Sequence, residues 1–324
     1  MYNLEEWKLV ETESVAYECS RDIFLIEGEK SQQWCNGIFT NNIRSMKPPQ
    51  FKFNAFCNDR GHVQDLATLL CLETSSFLCI LEHPSLADFQ KRFSMFMILD
   101  DIESTPKGSK IITLQGSQSS KYLSMIAEKL GFSIPEDGHY SHNLERNLFC
   151  ISHDRTGFGG IDIIATTEEM YTQLITAIEK CQIPFGTPQT FEALRIFSNK
   201  VDLSKDLSER NFVHELRINE DCCAFDKGCY IGQEIINRMD VKGILNKRLT
   251  RVILEEDIDL PCDVFTEESS KKAVGKITSK AHTPQGIMGL AILRKTVWED
   301  GKKLLLQKES HHIKGTTFEP ETVE

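Results

Sequence analysis

A change of pattern near residue 247 sets the tightest limit on what this chain can fold into. Ahead of it, apolar runs with strand spacing alternate with amphipathic helical stretches. Beyond it come only short strand-like runs: Arg248 to Leu254, Asp263 to Thr266, Ala273 to Thr278, Gly289 to Leu293 and Lys303 to Gln307. Turn-rich pieces separate them, and that regularity predicts a small β-barrel or sandwich. The chain therefore reads as α+β, with mixed α/β structure first and an all-β part last. At 324 residues it exceeds what one core usually organises, which predicts two or three domains.

In the first part, a strand around Ile23-Phe24-Leu25-Ile26 precedes a helix over Ser31 to Phe39, and Pro48-Pro49 marks a linker. Phe51 to Cys57 and His62 to Leu72 read as strands joined at Asn58-Asp59-Arg60-Gly61. Ser85 to Met97 sets Leu86, Phe89, Phe93 and Phe96 on one helix side, with Pro84 ahead and Ser85 and Asp88 as a capping pattern. Then come a strand over Lys110 to Leu114 and a helix over Ser119 to Leu130. A hairpin follows, Asn147 to His153 and Ile161 to Ala165, and then a helix capped by Thr166 with Glu169. This order matches most of a ferredoxin-like unit. Gly157, Gly159 and Gly160 lie inside the hairpin, so a turn explains them better than a phosphate loop.

Charge and cysteine usage exclude some functions. A net charge of −11 argues against a general nucleic-acid binder, leaving room only for a local basic patch in any direct contact with tRNA. Met1 to Glu11 is acidic and lacks an apolar run, so no signal peptide is expected. No apolar run approaches the ~20 residues of a membrane span, which predicts a cytoplasmic protein without direct membrane contact. The 11 cysteines are odd in number and form no Cys-x-x-Cys pair, which argues against a disulfide framework. Cys222-Cys223 and Cys229 carry no nearby histidine to complete a zinc spacing, and no metal site is expected.

The most distinctive stretch is Lys227-Gly228-Cys229-Tyr230-Ile231-Gly232-Gln233-Glu234. Gly228 suits a positive φ or a close backbone approach. Ile231, Ile235 and Met239 then place an apolar stripe on a following helix. Cys229 beside that helix start, with Lys227 close by, reads either as an acidified, accessible thiol or as a buried one on a helix-entry turn.

These eight residues resemble the signature of the YgfZ family, the folate-binding relatives of glycine-cleavage aminomethyltransferase. Arg238, Gly243 and Lys247-Arg248-Leu249 are similar to its continuation. Arg155-Thr156-Gly157-Phe158 and Val274-Gly275-Lys276-Ile277-Thr278-Ser279 resemble motifs of the wider superfamily. The resemblance implies an aminomethyltransferase-like ring of two mixed α/β, ferredoxin-like domains plus a C-terminal β-barrel. The division implied is 1–48 with 106–200, 49–105 with 201–244 carrying the signature loop, and 245–324.

It further implies tetrahydrofolate in the central opening. Asp65 falls where aminomethyltransferases carry two consecutive acidic residues, Gln64 replacing the first. It reads equally as a carboxylate raised in pKa on an apolar wall or as a strand-edge aspartate in water. Arg248, with Lys247 behind it, matches a position associated with the folate tail, where an arginine fork suits carboxylates. Lys227, Tyr230 and Gln233 are implied to border the ligand. Phe197 departs from the family, because it stands where a pterin-binding acid is expected. The function implied is support of iron–sulfur enzymes, including tRNA-modifying ones, with Cys229 as the thiolate that handles sulfur, iron or a cluster intermediate. Two alternatives stay open: a folate-dependent aminomethyltransferase or demethylase anchored by Asp65, and a non-catalytic scaffold.

Overall fold

The computed structural model describes residues 2–83, 86–145, 147–208, 210–243, 245–266, 272–309 and 311–319. Helix α1 (Leu4–Thr12) opens the chain, its first N–H groups capped by the Asn3 side chain. The long strand β1 (Val15–Glu27), α2 (Ser31–Ile38), β2 (Phe51–Cys57), β3 (Val63–Glu73) and β4 (Ser76–Leu81) follow. Next come α3 (Leu86–Asp100), a second long strand β5 (Glu103–Gln115) and α4 (Ser119–Leu130). The short β6 (Ser141–His142), β7 (Leu148–Ser152), β8 (Gly160–Ala165) and α5 (Glu168–Lys180) complete this part.

The eight strands form one antiparallel sheet in the order β2-β3-β4-β1-β5-β8-β7-β6. Strands β1 and β5 belong to both halves of it, and their register slips between Ser20 and Phe24. Such irregularities bend a strand and increase its twist. Period-two alternation then sorts the side chains. Phe24 and Ile26 pack with Trp34, Phe89 and Phe93 beneath α2 and α3. Ile112 and Leu114 pack with Leu123, Leu174 and Ile178 beneath α4 and α5. Ile23 and Ile111 point the other way and join Phe51, Leu70, Phe149 and Ile164. That last cluster draws on both halves, so the sheet curls and its helix-free face packs on itself.

Helices α6 (Pro188–Phe197), α7 (Leu203–Asp206), α8 (Asn219–Cys222) and α9 (Gln233–Lys242) lead to strands β9 (Lys247–Leu254), β10 (Cys262–Thr266), β11 (Gly275–Thr283), β12 (Gly286–Arg294), β13 (Lys303–Lys308) and β14 (His311–Phe318). These six strands close into a barrel in the order β10-β11-β12-β9-β14-β13, filled by Val252, Val264, Ile277, Leu293, Leu304 and Leu306 among others.

The expected barrel or sandwich is thus a barrel, with six strands where five are read from the sequence. The sixth, β14, mixes histidine, lysine and threonine with few apolar residues, which blurs its alternation. The strand expected over residues 110–114 is the second half of β5, whose first half lacks apolar spacing. Thr167, not Thr166, caps α5, its side chain accepting from the Met170 N–H at 3.2 Å. The cap expected at Pro84 and Ser85 lies outside the described residues. Among the described residues, no helix is long and apolar enough to cross a membrane.

Candidate functional site

Helix α6 is the hinge on which the site is built. Thr187 caps it and Pro188 opens it, a pairing suited to a first turn with free N–H groups. Its inner face meets the barrel through Ile196, Leu249, Met288 and Leu290. Arg195 locks that contact, reaching Glu192 at 2.6 and 2.7 Å, Asp206 at 2.9 Å and the Ser279 hydroxyl of β11 at 2.8 Å. Between the sheet, the chain following α6 and strand β9 lies a cavity of about 550 Å³. Phe53, Leu66, Leu216 and Ile218 give it apolar walls.

Most charges at the cavity wall are already matched. Arg155, from the loop between β7 and β8, meets Glu82 at 2.7 and 2.9 Å and Asp162 at 2.7 Å. Arg21 adds a bond to Glu82 at 3.0 Å, and His153 Nδ1 lies 2.9 Å from Asp162. Burial pushes both carboxyls up, but Arg155 overcomes it, helped by Arg21 at Glu82 and by His153 at Asp162. Both are held well below the usual carboxylate range. An ionised Asp162 only accepts, so His153 donates to it from Nδ1. The imidazole also lies against Phe53, with centroids 4.5 Å apart. Arg251 differs from the other arginines that line the cavity. Its guanidinium donates to the Phe197 carbonyl and lies over the Phe318 ring, while its buried Nε has no partner among the described residues. Asn199, also on the wall, has a buried Oδ1 in the same condition.

The residues singled out in the sequence fall into three places. Asp65 is buried, and burial pushes its carboxyl up to about 7 against the N–H groups of Leu66 and His83 that it accepts. Its face of β3 is that of Ala67, Leu69 and Cys71, under α2 and α3; Ala67 also borders the cavity, along with Leu66 and Thr68 of the other face, but Asp65 itself does not line it. Arg248 sits at the barrel rim over the Trp298 ring, 4.9 Å from its centroid, and bonds the Trp298 carbonyl and Glu319. It shares its strand face with Val252 of the barrel interior, while Arg251 shares the opposite face with Leu249 and Ile253. That alternation aims Arg251, not Arg248, at the cavity. Phe197 packs on Trp7 and Phe158 instead of lining it.

The signature loop forms the third place. Lys227 is buried, and its Nζ donates to the carbonyls of Asn36, Phe39 and Asn41 at 2.6 to 2.7 Å. It thereby caps the C-terminal end of α2 rather than charging the space around Cys229. Its ammonium lies 4.7 Å from the Tyr230 ring centroid, and Gln233 Nε2 donates to its carbonyl at 3.3 Å. The glycine needing a positive φ is Gly232, at +82°, not Gly228. A Cβ on Gly232 would stand 2.6 Å from the Asn58 carbonyl oxygen, so only glycine permits the approach to the β2–β3 turn. The helix that follows buries Ile236 rather than the expected Ile231, Ile235 and Met239 stripe. Cys229 is exposed, and the other ten cysteines are buried or half-buried. Tyr230 shares an apolar cluster with Leu203, Leu216 and Cys222, which also line the cavity, so one packing unit joins loop and cavity wall.

No protein-family model matches the chain. Among curated proteins it is similar to an aminomethyltransferase of Staphylococcus epidermidis, 21% identical over 309 residues, 92% of this chain and 84% of that one. It is also similar to the tRNA-modifying protein YgfZ of Blochmanniella pennsylvanica, 22% identical over 254 residues, 77% and 70% of the two chains. A shorter match joins it to the mitochondrial iron–sulfur cluster assembly factor IBA57 of Mus musculus, 39% identical over 75 residues, 22% of this chain and 20% of that one. Among solved structures, the glycine cleavage system aminomethyltransferase T of Bartonella henselae superposes with a TM-score of 0.81. The match covers 98% of this chain and 88% of that one at 12% identity. The fold is therefore aminomethyltransferase-like, with its C-terminal barrel, as the sequence implies.

Proposed function

We infer that this chain, a YgfZ-type member of the aminomethyltransferase superfamily, is a folate-binding accessory protein for iron–sulfur enzymes, tRNA-modifying ones among them. The observation that carries the reading is the cavity. It pairs apolar walls with a buried arginine and a buried amide oxygen that lack full partners. A reduced folate needs that combination: a flat slot for the pterin, a few polar groups at its nitrogens and a cation for its glutamate carboxylates. Phe53, with His153 behind it, would hold the ring, Asn199 Oδ1 would accept from its N–H groups, and Arg251 would meet the tail. When bound, tetrahydrofolate supplies nitrogens that carry one-carbon units. Cys229 stands outside the cavity on the exposed loop, where a client protein can reach it.

A folate-dependent aminomethyltransferase or demethylase is the second reading, favoured by the relatives that carry the former name. Two features oppose it: Phe197, where a hydrogen-bonding acid is expected, is a half-buried ring packed on Trp7 and Phe158, and Asp65 does not line the cavity.

The test is restoration of an iron–sulfur-dependent tRNA-modifying enzyme in cells lacking the protein. Wild type should restore it, and Cys229→Ser should fail while keeping fold and folate affinity. Restoration by the serine variant at the wild-type level removes the thiol from the account. Release of a one-carbon product from a folate adduct by the purified protein would favour the second reading.

A further inference from the structure

Helix α3 carries an outer face that the rest of the molecule leaves uncovered. Its inner residues Phe89, Phe93 and Met97 enter the core. On the outside, Met95, Phe96, Ile98 and Leu99 are 66, 48, 78 and 71% exposed. Spacings of three and four residues make them neighbours on the helix surface. A contiguous apolar patch of such large side chains is what marks an interaction site on a soluble protein.

The charges around the patch indicate what covers it. Lys91 and Arg92, exposed one turn before the patch, have no carboxylate partner among the described residues. Asp101 and Glu103, just beyond it, have no cation partner among them, and Asp100 holds only the exposed Lys30 at 3.4 Å. The flank before the patch is therefore basic, with Asp88 a turn farther out, and the flank beyond it acidic, in the same sense as the helix dipole. An anionic membrane fits poorly, because three carboxylates would face it. A second copy running antiparallel fits at both ends, since a two-fold axis level with Phe96 and Met97 packs the two stripes on each other and brings each basic end onto the partner's acidic end. Such a contact is self-complementary, as a two-fold interface must be.

We propose that α3 is a homodimer interface, with the Met95–Leu99 stripes of two copies packed antiparallel and Lys91 and Arg92 of each facing Asp100, Asp101 and Glu103 of the other. The cavity and the signature loop play no part in it.

Sedimentation of the full-length protein over a concentration series tests the proposal. Wild type should show a reversible monomer–dimer equilibrium that weakens with added salt. Leu99→Glu should weaken it at least about tenfold, with circular dichroism and melting temperature unchanged. Lys91→Glu should weaken it about threefold or more, and adding Asp100→Lys should recover most of that loss by restoring the pair with reversed sign. If Leu99→Glu unfolds the chain, the charge swap remains as the deciding pair. A strictly monomeric wild type, a dimer indifferent to both Leu99→Glu and the charge swap, or a monomer that binds anionic vesicles through α3 would each overturn the proposal.

Discussion

Arg155 and Glu82 meet through two parallel hydrogen bonds, Nη1 to Oε2 at 2.7 Å and Nη2 to Oε1 at 2.9 Å. One residue comes from the hairpin of β7 and β8, the other from the end of β4, so the pair ties the two halves of the curled sheet together. Because Asp162 also depends on Arg155, Arg155→Met leaves the buried Asp162 and the half-buried Glu82 without their main partner. It should cost about 3–5 kcal/mol in denaturant unfolding at neutral pH. The pH dependence follows from the lowered carboxyls. Their contribution is present above the unfolded values of about 4 and is lost as pH falls through the lower folded ones. The stability gap between wild type and Arg155→Met should therefore narrow on acidification below about pH 4. A gap that stays constant would show that the pair contributes packing alone.

Asp65 has the opposite sign. Its folded carboxyl is raised to about 7. Its contribution is thus fully present below about pH 4 and is lost as pH rises through about 7. Asp65→Asn keeps an oxygen for the Leu66 and His83 N–H groups and removes the charge. The variant should match wild type near pH 4 and exceed it by on the order of 1 kcal/mol or more at pH 8. Parallel stability curves across that range would mean that the carboxylate is solvated in the folded protein.

Lys227 holds three carbonyls at the end of α2, and burial pushes its amine down to about 7. Lys227→Met fills similar volume and leaves those carbonyls without a donor. The loss should be about 2–4 kcal/mol in thermal or denaturant unfolding. The freed loop should also expose Tyr230, measured as faster hydrogen exchange over residues 227–233. A variant as stable as wild type, with unchanged exchange, would show that the lysine does not hold the loop.

How much of this is legible in the chain depends on how local each cause is. The loop's need for glycine and lysine shows in its composition, because a close backbone approach and a set of bare carbonyls demand particular residue types. Which glycine takes the positive φ depends on the β2–β3 turn that Gly232 meets, far away in sequence. The barrel shows through its strand spacing, except in β14, where polar residues hide the alternation. The cavity is the least legible part. Its wall gathers Arg21, Phe53, Glu82, His153, Asn199 and Arg251 from separate segments, and no short motif links them. Arg251 has a readable signal, since it alternates with Leu249 and Ile253 on one face of β9. Resemblance points to Arg248, and the three-residue offset moves the side chain to the opposite face.

The cavity account is tested most directly by calorimetric titration of the purified protein with tetrahydrofolate, in wild type, Arg251→Met and Arg248→Met. Binding to the native state alone should also raise the melting temperature. The account predicts saturable one-site binding by wild type. Affinity should fall at least about tenfold in Arg251→Met, because a buried arginine–carboxylate contact is lost. Arg248→Met should bind nearly as wild type, and polyglutamylated folate should suffer more from Arg251→Met than a pterin without the tail. No binding by folded wild type, or equal losses in the two arginine variants, would contradict it.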